Sequence, residues 1–380
     1  MQKNRKSHSR LIVLIVTIVL ALLAVGCFVG ARMISEYKSG LLERRQAEVE
    51  AINQQRQSEY ALALAEFQQA TSSGANLAWP MQKSEGWDVV ELDNYPLENV
   101  QTTTVLRSDV INGGMLLVNE WHSRPDDFPE NELVGVISYS EKKVAAYNNT
   151  VRAFPVVVDA FRECFEAAKA EGMENYVLWD GYRTWDEQNE RFQKEMSKYS
   201  SQLSGEELIA KAKKSVNYPG TSEFNSGLST TVRLYKSGDE EVNGKNKNFF
   251  ESPEGRWLYE NSWRYGLVFR FPLADYPVKG AADKSYKTGV GVELRAFRYV
   301  GKGNAAVMHT LDLCLEEYIE YLMEHPHIAV FEDGTLKYEI YREYVGEGET
   351  FPISVVGSSN VNVYSTSLDN MGYTVTVFEY

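Results

Sequence analysis

Few side chains in this sequence stand in patterns that carry known chemistry. It has no His-Glu-x-x-His, Gly-x-Ser-x-Gly, phosphate-binding loop or dinucleotide-binding glycine motif. His325 and His327 form the only close histidine pair, and they follow a predicted helix end, where an ordinary loop explains them better than a metal site. Cys27, Cys164 and Cys314 are too few for a disulfide framework or a zinc ribbon. These general motifs therefore give no indication of a reaction class.

Two of the cysteines lie in apolar helical patterns. Cys164 follows Phe161 by three residues, and Cys314 follows Leu311 by three. This spacing predicts small buried thiols, since free cysteine behaves as a small apolar side chain. A disulfide between the two is the alternative in an oxidising compartment.

Three longer stretches resemble segments of one family. Residues 180–188 read Asp-Gly-Tyr-Arg-Thr-Trp-Asp-Glu-Gln, residues 219–231 read Pro-Gly-Thr-Ser-Glu-Phe-Asn-Ser-Gly-Leu-Ser-Thr-Thr, and residues 293–301 read Glu-Leu-Arg-Ala-Phe-Arg-Tyr-Val-Gly. They resemble Ser-Gly-Tyr-Arg-Ser, Pro-Gly-Thr-Ser-Glu-His-Gln-x-Gly-Leu-Ala-x-Asp and Glu-Pro-Trp-His-Phe-Arg-Tyr-Val-Gly of the VanY-type D-alanyl-D-alanine carboxypeptidases, which are zinc-dependent LAS peptidases. Residues 257–272 are similar to that family's connecting helix and strand. The resemblance covers about 115–320 and implies the LAS fold.

The resemblance also implies where zinc would bind. In the family the second segment supplies a His and an Asp ligand, and the third supplies a His. The matching positions here are Phe224, Thr231 and Ala296. Zinc in proteins is held by thiolate, imidazole or carboxylate groups, and catalytic sites usually take three of them from the protein. None of these three residues offers such a group, so we expect no zinc cofactor.

The binding half of the family's site is retained. By resemblance, Glu293 matches the general base, Arg183 matches the arginine that stabilises the substrate carbonyl, and Ser222 matches a hydroxyl that helps to hold the terminal carboxylate of a D-Ala-D-Ala peptide. Tyr182 is a candidate for the cleft wall. A planar guanidinium suits a carboxylate because it can engage both oxygens. The retained set favours recognition over hydrolysis.

Each of these residues also has a purely structural explanation. Glu293 pairs with Arg183 or Arg295 in that interpretation, and Ser222 is a turn or helix-capping residue. Arg183 is then a surface cation, and Tyr182 packs in the core. Phe224 most simply fills the former metal cavity, since a void would lower stability.

These segments require an α+β scaffold. The pattern predicts helices over 156–170, 185–199, 205–214, 255–265 and 305–323, and strands over 176–179, 232–235, 267–271, 292–299, 337–341, 353–356 and 373–378. Unequal helices with strands clustered late favour a small mixed or antiparallel sheet flanked by helices over a doubly wound sheet.

Charge and hydropathy predict how the chain is attached. The full chain carries a formal charge of −14. Because residues 1–10 contain four cations and no acid, residues 11–380 carry a net charge of −18. Such an acidic surface excludes nucleic acid as a partner. A charge-free run over 11–30 is long enough to cross a bilayer, and the basic tip places the N-terminus in the cytoplasm. The alternative is a lipoprotein signal ending at Cys27. The predicted divisions are a basic tip 1–10, a transmembrane anchor 11–31, a helical stalk 32–72, a linker and N-terminal extension 73–114, a carboxypeptidase-like domain 115–324 and a C-terminal β extension 325–380.

These observations predict a cell-membrane protein whose main domain is extracytoplasmic. We expect a catalytically degenerate carboxypeptidase-like domain that binds a peptidoglycan stem peptide or a cell-wall protein. The first alternative is an active D-alanyl-D-alanine carboxypeptidase, which would use an unusual metal shell or a metal-free route through Glu293. The second is a scaffold whose cleft binds nothing.

Overall fold

The computed structural model describes residues 86–93 and 95–380. The predicted basic tip, membrane anchor and stalk lie outside these residues. Within the described part, no helix has both the length and the apolar character needed to span a membrane.

Helices make up one part of the described chain. Their bounds are α1 (Arg107–Ile111), α2 (Val136–Tyr139), α3 (Pro155–Ala170), α4 (Trp185–Ser197), α5 (Gly205–Lys213), α6 (Glu240–Gly244), α7 (Pro253–Asn261), α8 (Ser285–Thr288), α9 (Lys302–Thr310) and α10 (Leu315–Glu324). Short 3₁₀ helices cover Glu130–Glu132, Glu223–Asn225, Lys245–Glu251 and Ser262–Tyr265.

The strands form antiparallel pairs throughout the described residues. Their bounds are β1 (Trp87–Glu91), β2 (Val100–Leu106), β3 (Val134–Gly135), β4 (Arg152–Ala153), β5 (Tyr176–Asp180), β6 (Ser229–Leu234), β7 (Leu267–Phe269), β8 (Ala296–Tyr299), β9 (His327–Glu332), β10 (Thr335–Tyr344), β11 (Thr350–Val356), β12 (Val363–Leu368) and β13 (Tyr373–Glu379). Four sheets result, with strand orders β5-β6-β8-β7, β1-β9-β10-β13-β12, β11-β2 and β3-β4.

The four-stranded sheet and α3 enclose the main core. Pro155 occupies the first turn of α3, where its missing N–H costs no hydrogen bond. Apolar residues then recur along one face of the helix, and Val158, Phe161 and Cys164 are fully buried. They pack with Leu178 of β5 and other residues of the sheet in a single apolar cluster. The predicted α+β fold with an antiparallel sheet is confirmed.

The five-stranded sheet joins the two ends of the described chain. β1 pairs with β9 from Trp87 opposite Glu332 to Glu91 opposite Ile328. His327 lies in β9, where its Nε2 is 2.7 Å from an oxygen of Glu339 and its Nδ1 is 2.7 Å from the carbonyl oxygen of Tyr95. The histidine pair of the sequence thus contributes to contacts within this sheet and its neighbouring loop.

The helix predicted over 305–323 is wrong as one element. The structure has α9 and α10, separated at 311–314, where Asp312 adopts a left-handed backbone with φ of 53°. The side chain of Glu317 accepts a hydrogen bond from the backbone N–H of Cys314, which caps the new helix start. Cys164 and Cys314 are both buried and free, so the disulfide alternative is wrong.

The strand predicted over 292–299 is shorter than expected. β8 begins at Ala296, and residues 292–295 form a loop beside the sheet. This difference matters because the loop carries Glu293 and Arg295 to the edge of a cleft.

Candidate ligand-binding cleft

A cleft of about 650 Å³ lies beside the four-stranded sheet, where β5 ends. Its walls come from the turn between β5 and α4, from β6, and from the loop before β8. Gly181 allows the turn to pack tightly, because a Cβ there would lie 2.5 Å from the carbonyl oxygen of Arg152. The lining includes Tyr182, Arg183, Phe224, Thr231, Glu293 and Arg295. The three sequence segments therefore meet at one place.

The three positions matched to zinc ligands are close together. Thr231 on β6 lies directly opposite Ala296 on β8. Phe224, in the 3₁₀ helix Glu223–Asn225, packs with Ala296 in an apolar cluster that also contains Phe271, Val290 and Leu294. Phe224 is 5% exposed and Ala296 is fully buried. An aromatic ring and aliphatic side chains thus surround the position where ligands would converge.

Zinc does not fit these residues. The apolar cluster supplies no thiolate, imidazole or carboxylate, and the hydroxyl of Thr231 is a neutral oxygen. In residues 86–93 and 95–380, no three or more His, Cys, Asp or Glu side chains are grouped so that they could hold a metal ion.

Arg183 is held firmly at the base of the cleft. Its backbone N–H donates to the carbonyl oxygen of Phe224 at 2.9 Å, and its guanidinium lies 4.1 Å from the centre of the Phe224 ring. The same guanidinium forms an ion pair with Asp180 and donates to Gln188 at 3.3 Å. Burial lowers the pKa of Arg183, while Asp180 raises it. The side chain stays cationic, since the pKa of free arginine is above 12.

The start of α4 fixes Arg183 from the other side. Thr184 caps this helix, with its hydroxyl accepting from the N–H of Glu187 at 3.1 Å. The Glu187 carboxylate in turn accepts from the N–H of Thr184 at 2.8 Å, which completes a capping box. Arg183 precedes this cap directly, so its position is set by local backbone structure.

Glu293 lies in the loop before β8 and is exposed. Neither of the ion pairs considered for it is seen. Arg183 pairs with Asp180, and Arg295 donates to the backbone and side-chain oxygens of Asn246, both at 3.0 Å. Among the described residues, Glu293 has no ion-pair partner within 4.0 Å. Its carboxylate is therefore available to solvent or to a ligand at the cleft edge.

Ser222 and Tyr182 are more enclosed than Glu293. Ser222 is 1% exposed and precedes the 3₁₀ helix, with its backbone N–H donating to the side chain of Asn225 at 3.2 Å. It lines a second groove, of about 360 Å³, which shares Arg183 and Phe224 with the cleft. The Tyr182 hydroxyl accepts from Arg124 at 2.7 Å, and its ring stacks on Phe128. Tyr182 therefore forms part of the wall.

Motif matching did not identify Arg233 and Arg295 as cleft residues. Arg233 follows Thr231 by two residues on β6, and its guanidinium lies 4.2 Å from the ring centre of Trp179. Arg233, Trp179 and Arg295 all line the cleft. A signal for Arg295 was present in the sequence, because the family's third segment has Trp at this position. No comparable signal marked Arg233.

A buried ionic network supports the cleft from behind. Glu223 accepts from Arg298 at 2.6 Å, from Arg270 at 2.8 Å and from the Ser229 hydroxyl at 2.7 Å. Arg270 also forms two hydrogen bonds with Glu316 of α10, at 2.6 and 2.9 Å. Burial alone would raise the pKa of Glu223, but Arg298 and Arg270 lower it to about 2. The network therefore joins β6, β8, the 3₁₀ helix and α10.

Comparison with known proteins agrees with the sequence segments. The family described as VanY, D-alanyl-D-alanine carboxypeptidase, matches residues 152–302. A D-alanyl-D-alanine carboxypeptidase of Enterococcus faecium is 29% identical over 284 residues, which cover 74% of this chain and 80% of the relative. YodJ of Bacillus subtilis (strain 168) is 34% identical over 209 residues, which cover 54% of this chain and 67% of the relative.

One solved structure is similar over most of its length. It is the D,D-dipeptidase VanXYg in complex with a D-Ala-D-Ala phosphinate analog, with a TM-score of 0.53 and 22% sequence identity. The match covers 74% of this chain and 99% of that one. This likeness supports the fold described above.

Proposed function

Because the chain belongs to the VanY family of D-alanyl-D-alanine carboxypeptidases, we propose that it is a catalytically degenerate member that binds peptidoglycan stem peptides. The family places it among peptidoglycan-related, peptidase-like proteins.

The apolar cluster at the three ligand positions carries the proposal. Phe224 and Ala296 are buried against Phe271 and Val290, where the family's reaction requires a metal ion. Without that ion, water keeps a pKa near 15.7 instead of about 7, and a peptide carbonyl loses its Lewis acid. Glu293 then has no activated water to deprotonate. Hydrolysis loses its chemical basis, although the cleft persists.

The remaining groups suit a bound peptide. Arg183 presents a buried cation at the base of the cleft, and Ser222 lines the adjoining groove. The Arg183 side chain is 14% exposed and lines both the cleft and the groove. A carboxylate or carbonyl oxygen of a D-Ala-D-Ala terminus suits this guanidinium, which supports recognition as the retained function. The alternative to a stem peptide is a cell-wall protein that presents a similar terminus to the same cleft.

The proposed location is the outer face of the cell membrane. Residues 11–31 would form the single-pass anchor, with the N-terminus in the cytoplasm and the main domain outside. Cysteine labelling of intact cells tests it, because a cysteine placed in the exposed loop at Glu293 should react with an impermeant reagent.

Three measurements on the purified full-length chain test the function. Metal analysis should find no stoichiometric zinc, and incubation with a peptide ending in D-Ala-D-Ala should release no D-alanine. Calorimetric titration with the same peptide should nevertheless give a binding isotherm. Stoichiometric zinc together with D-alanine release would refute the degenerate function, and absence of heat at millimolar peptide would favour a scaffold that binds nothing.

A further inference from the structure

We propose that Arg233 and Arg295 form a second carboxylate-binding site in the cleft, separate from Arg183, which selects peptides with an internal carboxylate. This inference rests on the proposed function, because it assumes that a peptide occupies the cleft. It adds a specificity that neither the family name nor the retained motif residues supply.

Arg233 is mounted on an aromatic platform. Its guanidinium lies 4.2 Å from the ring centre of Trp179, and the Trp179 ring lies 4.1 Å from that of Tyr147. Stacking against a ring engages the face of a guanidinium and leaves the N–H groups at its edge free to donate. Trp179, Tyr147 and Arg233 all line the cleft. The arrangement holds a planar donor in place before any ligand arrives.

Arg295 reaches the same cleft from the loop before β8. One terminal nitrogen donates to both oxygens of Asn246 at 3.0 Å, which anchors one corner of the guanidinium. Its face lies 5.6 Å from the ring centre of Phe249. Since an arginine side chain carries five N–H donors, the anchored corner leaves several for a ligand.

Neither of these arginines is neutralised within the described residues. Among residues 86–93 and 95–380, no carboxylate oxygen lies within 4.0 Å of a guanidinium nitrogen of Arg233 or Arg295, whereas Arg183 forms an ion pair with Asp180. Both arginines line the same cleft, and the backbone N–H of Val232, next to Arg233, donates to the carbonyl oxygen of Arg295 at 3.0 Å. Burial lowers the pKa of Arg295, and the positive charge of Arg233 lowers it further. Two half-buried cations that repel each other are stabilised by an anion placed between them.

The surrounding charge makes this pair distinctive. The chain carries 53 acidic and 39 basic residues, so unpaired cations in a cleft oppose the overall balance. The third sequence segment also replaces the family's Trp by Arg295 and the family's His by Ala296. A ligand for the metal is lost and a donor for a carboxylate is gained within two adjacent residues.

A carboxylate of the peptide is the anion that fits best. The guanidinium is planar and matches both oxygens of a carboxylate. The terminal carboxylate is assigned to the side of Arg183 and Ser222, so the second site is left for a carboxylate inside the peptide. Inorganic phosphate is also an anion and could bind the same arginines. The experiment must therefore distinguish phosphate binding from binding of the peptide carboxylate.

The test compares two stem pentapeptides that differ in one group. Both end in D-Ala-D-Ala; one keeps the free carboxylate of its internal glutamate, and in the other this group is amidated. By calorimetry, the full-length chain should bind the free acid about ten- to a hundredfold more tightly, as charge-assisted hydrogen bonds imply. Arg233→Gln and Arg295→Trp should each reduce this preference.

Matched variants separate the site from general effects of charge. Arg264→Gln removes a partly exposed arginine outside the cleft lining and should keep the full preference. Arg233→Lys keeps the charge but loses the planar fork, so it should retain part of the preference. The comparison of the two peptides on the unmodified chain needs no variant, which keeps the test decisive even if a substitution disturbs folding.

The possible outcomes are distinct. Equal affinity of the unmodified chain for the two peptides would overturn the second site and leave the proposed function standing. Binding of neither peptide would overturn both. If 10 mM inorganic phosphate abolishes the preference for the free-acid peptide, an anion site at the two arginines is supported. If that preference survives in Arg233→Gln and in Arg295→Trp, the discrimination lies elsewhere and the inference is refuted.

Discussion

The three positions matched to zinc ligands should regain a metal site when the family's residues are restored. The change is Phe224→His, Thr231→Asp and Ala296→His in one chain. Thr231 and Ala296 face each other across β6 and β8, so their Cβ atoms are expected about 5 Å apart. Phe224 contacts Ala296 within the apolar cluster. Side chains from these three positions can therefore converge on one ion at the usual zinc–ligand distances of about 2.0–2.2 Å.

The metal-free triple variant should be less stable than the parent. Replacing the buried Phe224 ring loses about 1.5–3 kcal/mol of apolar burial, together with its contact with the Arg183 guanidinium. A histidine at the fully buried Ala296 overpacks the cluster and costs about 1–3 kcal/mol more. We therefore expect a loss of about 3–6 kcal/mol. Zinc at a thousandfold excess over its dissociation constant should restore about 4 kcal/mol.

Denaturant unfolding with zinc and with chelator measures both quantities, and metal analysis gives the stoichiometry. The double variant Phe224→His/Thr231→Asp is the control, since it lacks the third ligand and should bind zinc much more weakly. A triple variant that is folded by circular dichroism but binds no stoichiometric zinc would refute the reasoning. It would mean that the backbone at these positions no longer has the geometry of the family.

Three further predictions concern the cleft and its support. The depressed pKa of Glu223 means that its ion pairs stabilise the fold above about pH 4.5, and about 3 kcal/mol should be lost as the pH falls from there towards 2. Urea unfolding at pH 7, 5 and 3 measures this, and a flat profile would contradict it. Phe224→Ala should cost about 3–5 kcal/mol and Phe224→Leu clearly less, because only the first leaves a large void. Similar unfolding midpoints for the two variants would argue against a packed ring. Glu293→Gln should change stability by no more than about 0.5 kcal/mol, since the carboxylate is exposed and has no ion-pair partner among the described residues; a larger loss by thermal unfolding would reveal a structural role.

The elements that position the cleft were largely predictable because their signals are local. The helix predicted over 185–199 is observed as Trp185–Ser197, and the cap of Thr184 with Glu187 is readable from four consecutive residues. The strand predicted over 176–179 is β5 with one residue added. The sequence segments also placed Phe224, Thr231 and Ala296 in one site, because segments that keep the family's spacing are expected to keep the family's arrangement in space.

Long-range pairings could not be read from the sequence in the same way. β1 pairs with β9 across more than two hundred residues, and β2 pairs with β11 over a comparable separation. Neither local propensity nor alternation specifies which distant strand becomes the neighbour. The approach of Arg233 to Trp179 and to Arg295 was hidden for the same reason, since it depends on the register of β5, β6 and the loop before β8.

The break between α9 and α10 shows a third kind of limit. Apolar residues continue through the segment from 305 to 323 with a helical period, so the pattern favours one helix. The left-handed residue Asp312 interrupts it, and Glu317 then caps the second helix. Redirecting α10 brings Glu316 to Arg270, so a buried ion pair accompanies the break.

That ion pair bears on how the cleft keeps its shape. Each of the three ligand positions lies one or two residues from a member of the buried network: Phe224 follows Glu223, Thr231 follows Ser229, and Ala296 precedes Arg298. These members bond directly to one another, with separations of 2.6–2.7 Å between Glu223 and both Ser229 and Arg298.

Removing one partner from such a buried pair is costly, at about 3–5 kcal/mol, because the other charge is left without compensation. The backbone at the ligand positions is therefore held by guanidinium–carboxylate contacts that do not involve a metal. In the proposed function, Phe224, Thr231 and Ala296 take the place of the family's ligands, and the contacts that support the cleft do not depend on them. The proposed binding function therefore needs no metal to keep the cleft in shape, and Arg295 lines that supported cleft.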